Sequence, residues 1–502
     1  MPESEQPVSS VARLATVLLA SLVVLACNAR GNADPKPDGP IAIRVGIGGL
    51  PSQSPERGLQ QLLGNISQEG LLRVNQEGRV ESWLAQGWDT SADGLRVTLR
   101  LRPNVFFHDG SVADAAAIAA YLTESLPKSL RSAFEDVKSI SAADKSTVVI
   151  DLQRPSTFVT EVMTDVPIQK PGNASVGTGP FLAPKTSASS QSAEMARNET
   201  YYLGPAEIHR IAVNTYANTR AAWADMLRDK LDVLYEIDID AIDSMRASSK
   251  VALYTFDRPY QYMVVLNAQS PKLQSAQVRR ALNQAIDRAA VVRDGLAGQG
   301  TPSAGPVSQH HWAFHEFGTT FTFAPESTKL ALAPLRRTNG PGSPTIKCLT
   351  LPGLAYERLA LVVKKQLEAV GVDMEIEEVP PDRLASTLRN HEYEAALLDP
   401  ASGPSMFRLY RAWTQTVNLS NPRVTAALDR IRHAVGTDAY RDGVMALQQT
   451  MADDPPAIFL AWGSRTRAVT RKFDVQAEPG RDIMSTLRMW KPSADNRNAT
   501  DN

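Results

Sequence analysis

The chain has 502 residues, 43% of them hydrophobic and 21% charged, with a formal net charge of −1 at pH 7. That length allows two or three domains of about 100–200 residues each, and the near-neutral balance excludes a global field that recruits nucleic acid or an anionic membrane surface. With only two cysteines a disulfide-rich scaffold is excluded, so stability must come from large cores.

The first element is an apolar run, Leu14 to Ala26, behind Arg13 and ending at Cys27. It is shorter than the about 20 residues a spanning helix needs and matches a secretory apolar region. A membrane anchor, a plain signal peptide and a lipoprotein signal all compete for it. Val24-Leu25-Ala26-Cys27 resembles a bacterial lipobox, so residues 1–26 are read as a lipoprotein signal peptide and Cys27 as the acylated anchor. Glu3 and Glu5 are out of place in such a leader, and translation starting at Val8 or Val11 would remove them. Residues 27–40, rich in Pro, Gly, Asn and Asp, form a flexible tether. Once Cys27 is acylated, Cys348 has no disulfide partner, and its apolar flanks predict a buried strand residue without a catalytic role.

The globular part opens with "IAIRVGIGG", whose glycines lack the following Lys-Ser/Thr of a phosphate loop. Leu95, Val97, Leu99 and Leu101 alternate with Arg96, Thr98, Arg100 and Arg102 after an Asp93-Gly94 turn, which predicts a strand with one wet, basic face. Asp109-Gly110 is a second turn, Asp114 can cap the helix "AAAIAAYL", and "STVVIDL" is a further strand. A Gly/Ser-rich stretch at 172–192 holds the tight turn "GTGPF".

Beyond residue 256 strands and helices alternate. "YMVVLN" precedes one helix from about Ser275 to Leu296, with Val278, Leu282, Ala285, Ile286, Ala289 and Val292 on one face. A second helix, "YERLALVVKKQLEAVG", stops at Gly371 before a strand that alternates Val372, Met374 and Ile376 with acids. This is the grammar of an α/β fold. The Gly/Pro loop at 336–344 lies within this half, because the same alternation resumes after it.

These segments, in this order, resemble the family 5 extracellular solute-binding proteins, the oligopeptide, dipeptide and nickel receptors of ABC importers. The stretches at 69–111, 177–181, 264–292, 361–379 and 452–462 carry the likeness, with Ala85, Trp88, Phe107-His108-Asp109-Gly110, Arg280-Ala281 and Ala285-Ile286-Asp287-Arg288 the most specific. The resemblance implies a two-lobed α/β fold of the periplasmic-binding-protein type with its ligand cleft between the lobes. It implies lobe I at 41–56, 172–255 and 466–491, its inserted subdomain at 57–171, lobe II at 256–465, and a disordered tail at 492–502. The lobes would be joined by strands near "RPYQYMV" and "AWGSRTR".

The resemblance further implies a monomeric, lipid-anchored extracytoplasmic receptor. It would capture a peptide-like or other small solute by hinge closure and deliver it to a permease and ATPase, with no cofactor, metal or nucleic acid. The ligand-reading residues it suggests are Tyr260, Tyr262, Asp399, Ser402, Phe407, Arg408 and Trp413. Peptide receptors of the family pair an aspartate with the peptide's amino group, and no acid stands at the aligned position here. Asp399 either serves a few residues early or caps the loop before Pro400. His108 is expected to be structural.

His310, His311 and His315 cluster beside Glu316, where a shared metal competes with an exposed loop, the preferred reading. A hydrolase is disfavoured by the absence of G-x-S-x-G and H-E-x-x-H. The alternative that keeps the fold is a lipoprotein that no longer imports and acts by protein contact as a regulator or scaffold in envelope assembly.

Overall fold

The computed structural model describes residues 41–48, 55–184, 191–238, 241–316, 321–333, 335, 344–419 and 421–494. The leader, Cys27, the tether, residues 336–343 of the Gly/Pro loop and residues 495–502 lie outside the described residues.

The strands in chain order are β1 (Ala42–Ile47), β2 (Leu72–Val74), β3 (Val80–Ser82), β4 (Ala85–Thr90), β5 (Arg96–Leu101), β6 (Val137–Ala142), β7 (Thr147–Leu152), β8 (Ser192–Ala196), β9 (Arg210–Thr215), β10 (Val233–Leu234) and β11 (Val251–Leu266). They continue with β12 (Gly300–Pro302), β13 (Thr345–Thr350), β14 (Asp373–Glu378), β15 (Ala395–Leu398), β16 (Ala457–Thr470), β17 (Phe473–Asp474) and β18 (Lys491–Pro492).

A single mixed sheet runs β14-β13-β15-β11-β16-β10-β1-β9-β8, with β12 added on β16. Its two long central strands pair antiparallel from Val251↔Thr470 to Val265↔Ala457, with a register break between Asp257 and Gln261. One end of this ribbon carries β10, β1, β9 and β8, the other β15, β13 and β14. A separate antiparallel sheet, β4-β5-β7-β6, comes from the segment between the first and later strands. In β5 the side chains of Val97, Leu99 and Leu101 are buried, while Arg96 faces solvent and pairs at 2.7 Å with Asp151 across the ladder. Leu95, expected on the buried face, is 36% exposed because it belongs to the turn rather than to the strand.

Asp114 caps the helix Ala115–Leu130, its carboxylate accepting from Ala117 N–H at 2.9 Å. The long helix expected at 275–296 is broken. Ala276–Gln284 is capped by Ser275, the chain bends at 285–287, and Asp287 then caps a new turn by accepting from Ala290 N–H at 3.1 Å. An N-cap inside an apolar-periodic stretch ends one helix and starts another. The break also turns Ala289 out to solvent. Gly371, at φ +82, terminates the helix Leu354–Ala369 as expected. Of the C-terminal tail, Pro492 instead pairs with Phe473, and Ser493 N–H donates to Lys472 O.

Two apolar clusters follow the sheet. One gathers Ile43, Val45, Ile211, Val213 and Trp490, the other Leu282, Leu359, Val363 and Cys348. A third is continuous between residues 71–168 and 384–459: Leu99, Ile150 and Phe158 belong to the same core as Phe407, Trp413, Ile431 and Phe459. Among the described residues no helix is long and apolar enough to cross a membrane.

Candidate functional site

The register break in β11 places Asp257, Arg258 and Pro259 at the wall of a cavity of about 170 Å³. The β2–β3 turn (Asn75, Gln76), the loop at Gly403–Pro404 with Arg408, Trp462 of β16 and the Gly480–Arg481 segment close its other sides. Thus parts of the chain separated by more than four hundred residues converge where the central ribbon is irregular.

Glycine makes that convergence possible. Gly78, at φ +78, lies so close to the second half that a Cβ there would stand 2.3 Å from His311 Cδ2 and 2.8 Å from Pro404 O. Gly480, at φ +69, leaves room for the Gln76 side chain, which donates to Asp257 Oδ2 at 2.7 Å. The turn is thereby held against the break in β11 and against the loops carrying His311, Pro404 and Gly480.

Charges around the break are mostly paired. Arg467 lies 3.6 Å above the Tyr235 ring and pairs with Asp482 at 2.7 Å and Glu236 at 3.4 Å, while Arg465 approaches Glu236 at 3.7 Å. Arg481 pairs with Glu478 at 3.2 Å and Glu81 at 3.3 Å. Arg258 stands apart: its guanidinium carbon lies 4.1 Å from the Tyr260 ring centroid, and among the described residues it has no ion pair.

The residues singled out from the sequence divide into two groups. Tyr260, bridged to Ala401, carries Arg258 on its ring face. Tyr262 is buried edge-on to Tyr356 at 6.2 Å. Asp399 accepts from the Tyr356 hydroxyl; burial pushes its carboxyl above the ordinary aspartate range, and this bond with the charges of Arg258 and Arg465 pulls it back. Ser402 donates its backbone N–H to Pro259 O at 2.7 Å and its hydroxyl to Pro400 O at 3.1 Å. Arg408 reaches the cavity wall, held there by Asp165 (Nε–Oδ1 2.9 Å) and by Gly403 O (3.0 Å). These five surround the break.

Phe407 and Trp413 form the other group. Both are fully buried in the shared core, Phe407 against Phe158 at 5.6 Å and Trp413 edge-on to Phe459 at 6.1 Å. Phe407 thus packs between helices and Trp413 against β16, both inside the shared core.

Arg258, Gln76 and Trp462 were not singled out from the sequence. The available signal was an arginine before a proline inside an otherwise apolar long strand, "RPYQYMV", opposite a tryptophan in "AWGSRTR".

In the histidine segment His310, His315 and Glu316 are exposed, as the loop reading expects, and His311 is the exception. His311 is 3% exposed, stacked on Trp312 and Tyr440, and burial pushes its imidazole down to about 3. His310 faces the cavity, and His315 N–H donates to Gln448 at 3.0 Å. His108 bonds Gly179 O at 3.1 Å. A larger cavity, about 580 Å³, lies between Trp88, Glu161, Trp312 and Tyr440, along the seam of the shared core and away from the ribbon's break.

The family model described as "Bacterial extracellular solute-binding proteins, family 5 Middle" matches residues 79–418. Among individual relatives, the glutathione-binding protein GsiB of Pectobacterium atrosepticum is 24% identical over 312 residues, covering 55% of this chain and 59% of that protein. GsiB of Escherichia coli K12 is 24% identical over 266 residues, covering 50% and 52%. The chain thus spans little more than half the length of these relatives.

Similar solved structures include NikA from Brucella suis in complex with Fe(III)-EDTA (TM-score 0.78, 16% identity, 90% of this chain and 100% of that one). The oligopeptide-binding protein AppA from Bacillus subtilis, in complex with a nonapeptide, has a TM-score of 0.72 and 18% identity, covering 90% and 99%. At this identity the likeness is one of fold: a two-lobed α/β binding-protein architecture.

Proposed function

Since the chain belongs to the bacterial extracellular solute-binding proteins of family 5, we propose that it is the capture component of an ABC importer, closing on a peptide-like or other small solute and passing it to a permease and its ATPase. In this reading lobe I comprises residues 41–56, 172–255 and 466–491 with 57–171 inserted, and lobe II comprises 256–465. The observation that carries the reading is the β11–β16 ribbon, whose register shifts between Asp257 and Gln261 and again between Tyr262 and Met263, beside a cavity closed by segments from both sides. A paired ribbon bends most easily where its ladder is interrupted. A solute that contacts both sides favours the closed arrangement by its differential affinity, which is all that capture requires. Acylation of Cys27 would keep the monomeric receptor outside the cytoplasm and beside its permease, raising its effective concentration there.

The test is native mass spectrometry of the chain purified gently from its own host, followed by denaturation to identify what it carried. A stoichiometric small molecule supports the receptor. An empty chain whose melting is unmoved by peptides, nickel complexes or haem overturns it.

A further inference from the structure

The cavity at the ribbon's break is rich in donors and poor in acceptors. Three arginines line it against one carboxylate, Asp257, among its described lining residues. Asp257 already accepts the Gln76 amide, Arg408 is held by Asp165 and Gly403, and Arg481 by Glu81 and Glu478. Arg258 has none of these partners. Its ring contact with Tyr260 fixes the plane of the guanidinium without consuming its N–H donors, which form a planar fork suited to a carboxylate.

Trp462 lines the same wall and a second cavity of about 210 Å³, and its indole N–H is buried and lacks an acceptor among the described residues. A buried donor without a partner costs about 1–3 kcal/mol unless something supplies the acceptor.

We propose that Arg258 receives a carboxylate of the captured solute, so that this receptor takes an acid and reads it by its negative end; the inference rests on the receptor reading above. Asp399 does not serve as the anchor for an amino group. It is occupied by the Tyr356 hydroxyl and lies in the fields of both Arg258 and Arg465, so an ammonium placed there would sit beside two guanidinium charges. The volume fits this role. About 170 Å³ is below the roughly 300–1,000 Å³ of whole-ligand pockets, which suits an acidic head group with its tail directed along the seam between the lobes.

The experiment uses the full chain and its Arg258→Gln and Arg258→Lys variants, each incubated with an enzymatic casein hydrolysate, washed, and denatured to identify what was retained. The main captured peptide is then titrated as free acid, as C-terminal amide and as N-acetyl derivative. The proposal expects the free acid and the N-acetyl form to bind alike, and the amide of a peptide without other acids to bind about ten- to a hundredfold more weakly. Arg258→Gln is expected to lose the same factor, Arg258→Lys less, with melting of the ligand-free protein unchanged in both. Equal binding of acid and amide, or capture indifferent to Arg258→Gln, overturns the carboxylate reading while leaving the receptor standing. Capture of nothing by the wild type counts against both.

Discussion

The hydroxyl of Tyr440 donates a 2.7 Å hydrogen bond to the carboxylate of Glu161, a residue 279 positions earlier. Phe407 N–H donates to the other oxygen, also at 2.7 Å, yet burial outweighs both bonds and pushes the Glu161 carboxyl up to about 7. Glu69, held by Tyr201 and Tyr202, is pushed up to about 7 for the same reason. The fold therefore keeps both groups protonated at pH values where the unfolded chain has released them. Their stabilising contribution is complete below about pH 4.5 and is lost as pH rises through about 7, on the order of 3 kcal/mol for each. The prediction is that Glu161→Gln gains stability relative to wild type on going from pH 5.5 to pH 8 in denaturant titrations. A difference that stays constant with pH contradicts it.

Arg408 and Asp165 form a two-point ion pair between the helix Met406–Arg411 after β15 and the segment before β8, with side chains 21% and 14% exposed. A pair of this burial falls between an exposed pair, worth about 1 kcal/mol or less, and a buried one, whose disruption costs about 3–5 kcal/mol. Arg408→Ala is predicted to destabilise by about 2–3 kcal/mol in chemical denaturation. The double variant with Asp165→Ala should lose less than the sum of the two single changes.

Gly78→Ala and Gly110→Ala separate two costs of a side chain at positive φ. Both glycines sit near φ +80, but a Cβ at Gly110 meets nothing within 4 Å, whereas one at Gly78 overlaps His311 and Pro404. Gly110→Ala is predicted to cost about 1–2 kcal/mol, and Gly78→Ala about 1–3 kcal/mol more. Because the Gly78 turn also holds Gln76 against Asp257, ligand dissociation should quicken only in Gly78→Ala, as stopped-flow displacement would show.

Cys348 is fully buried in β13, and burial pushes its thiol up to about 12. It is predicted to resist iodoacetamide in the native protein and to react fully in denaturant, so labelling against time reports global opening.

Cys27→Ala is predicted to abolish acylation and move the protein from the membrane to the soluble fraction, detectable as loss of incorporated labelled palmitate. Retention of label in that variant would overturn Cys27 as the anchor.

Local chemistry was legible in the sequence where the local chain decides the outcome. Asp114 caps a helix, Asp93-Gly94 turns, and Val97, Leu99 and Leu101 form a buried stripe because these depend on neighbours a few residues away. The helix expected through Asp287 was misjudged because apolar periodicity continues across a residue that caps as readily as it propagates. Phe407 and Trp413 looked like contact aromatics, but only packing against Phe158 and Phe459 identifies them as core. Arg258 shows the reverse: the local chain marks it only as an arginine before a proline in an apolar strand, and its meaning comes from a broken ladder and from partners its neighbours have and it lacks.

In the receptor reading proposed above, the core shared between residues 71–168 and 384–459 bears on how fast a solute can exchange. Phe158 lies 5.6 Å from Phe407 and 5.1 Å from Tyr410 across that seam, and a motion that parts them wets up to about 150–250 Å² per ring, or roughly 4–6 kcal/mol each. If solute exchange requires the two sides to part here, that barrier stands in front of arrival and departure alike. It lengthens the dwell of a bound solute and delays entry of a new one by the same factor, leaving the equilibrium between them untouched. On the same reading, turnover of cargo depends on whatever pulls this seam open, and docking of the proposed receptor on its permease is a contact that would do so.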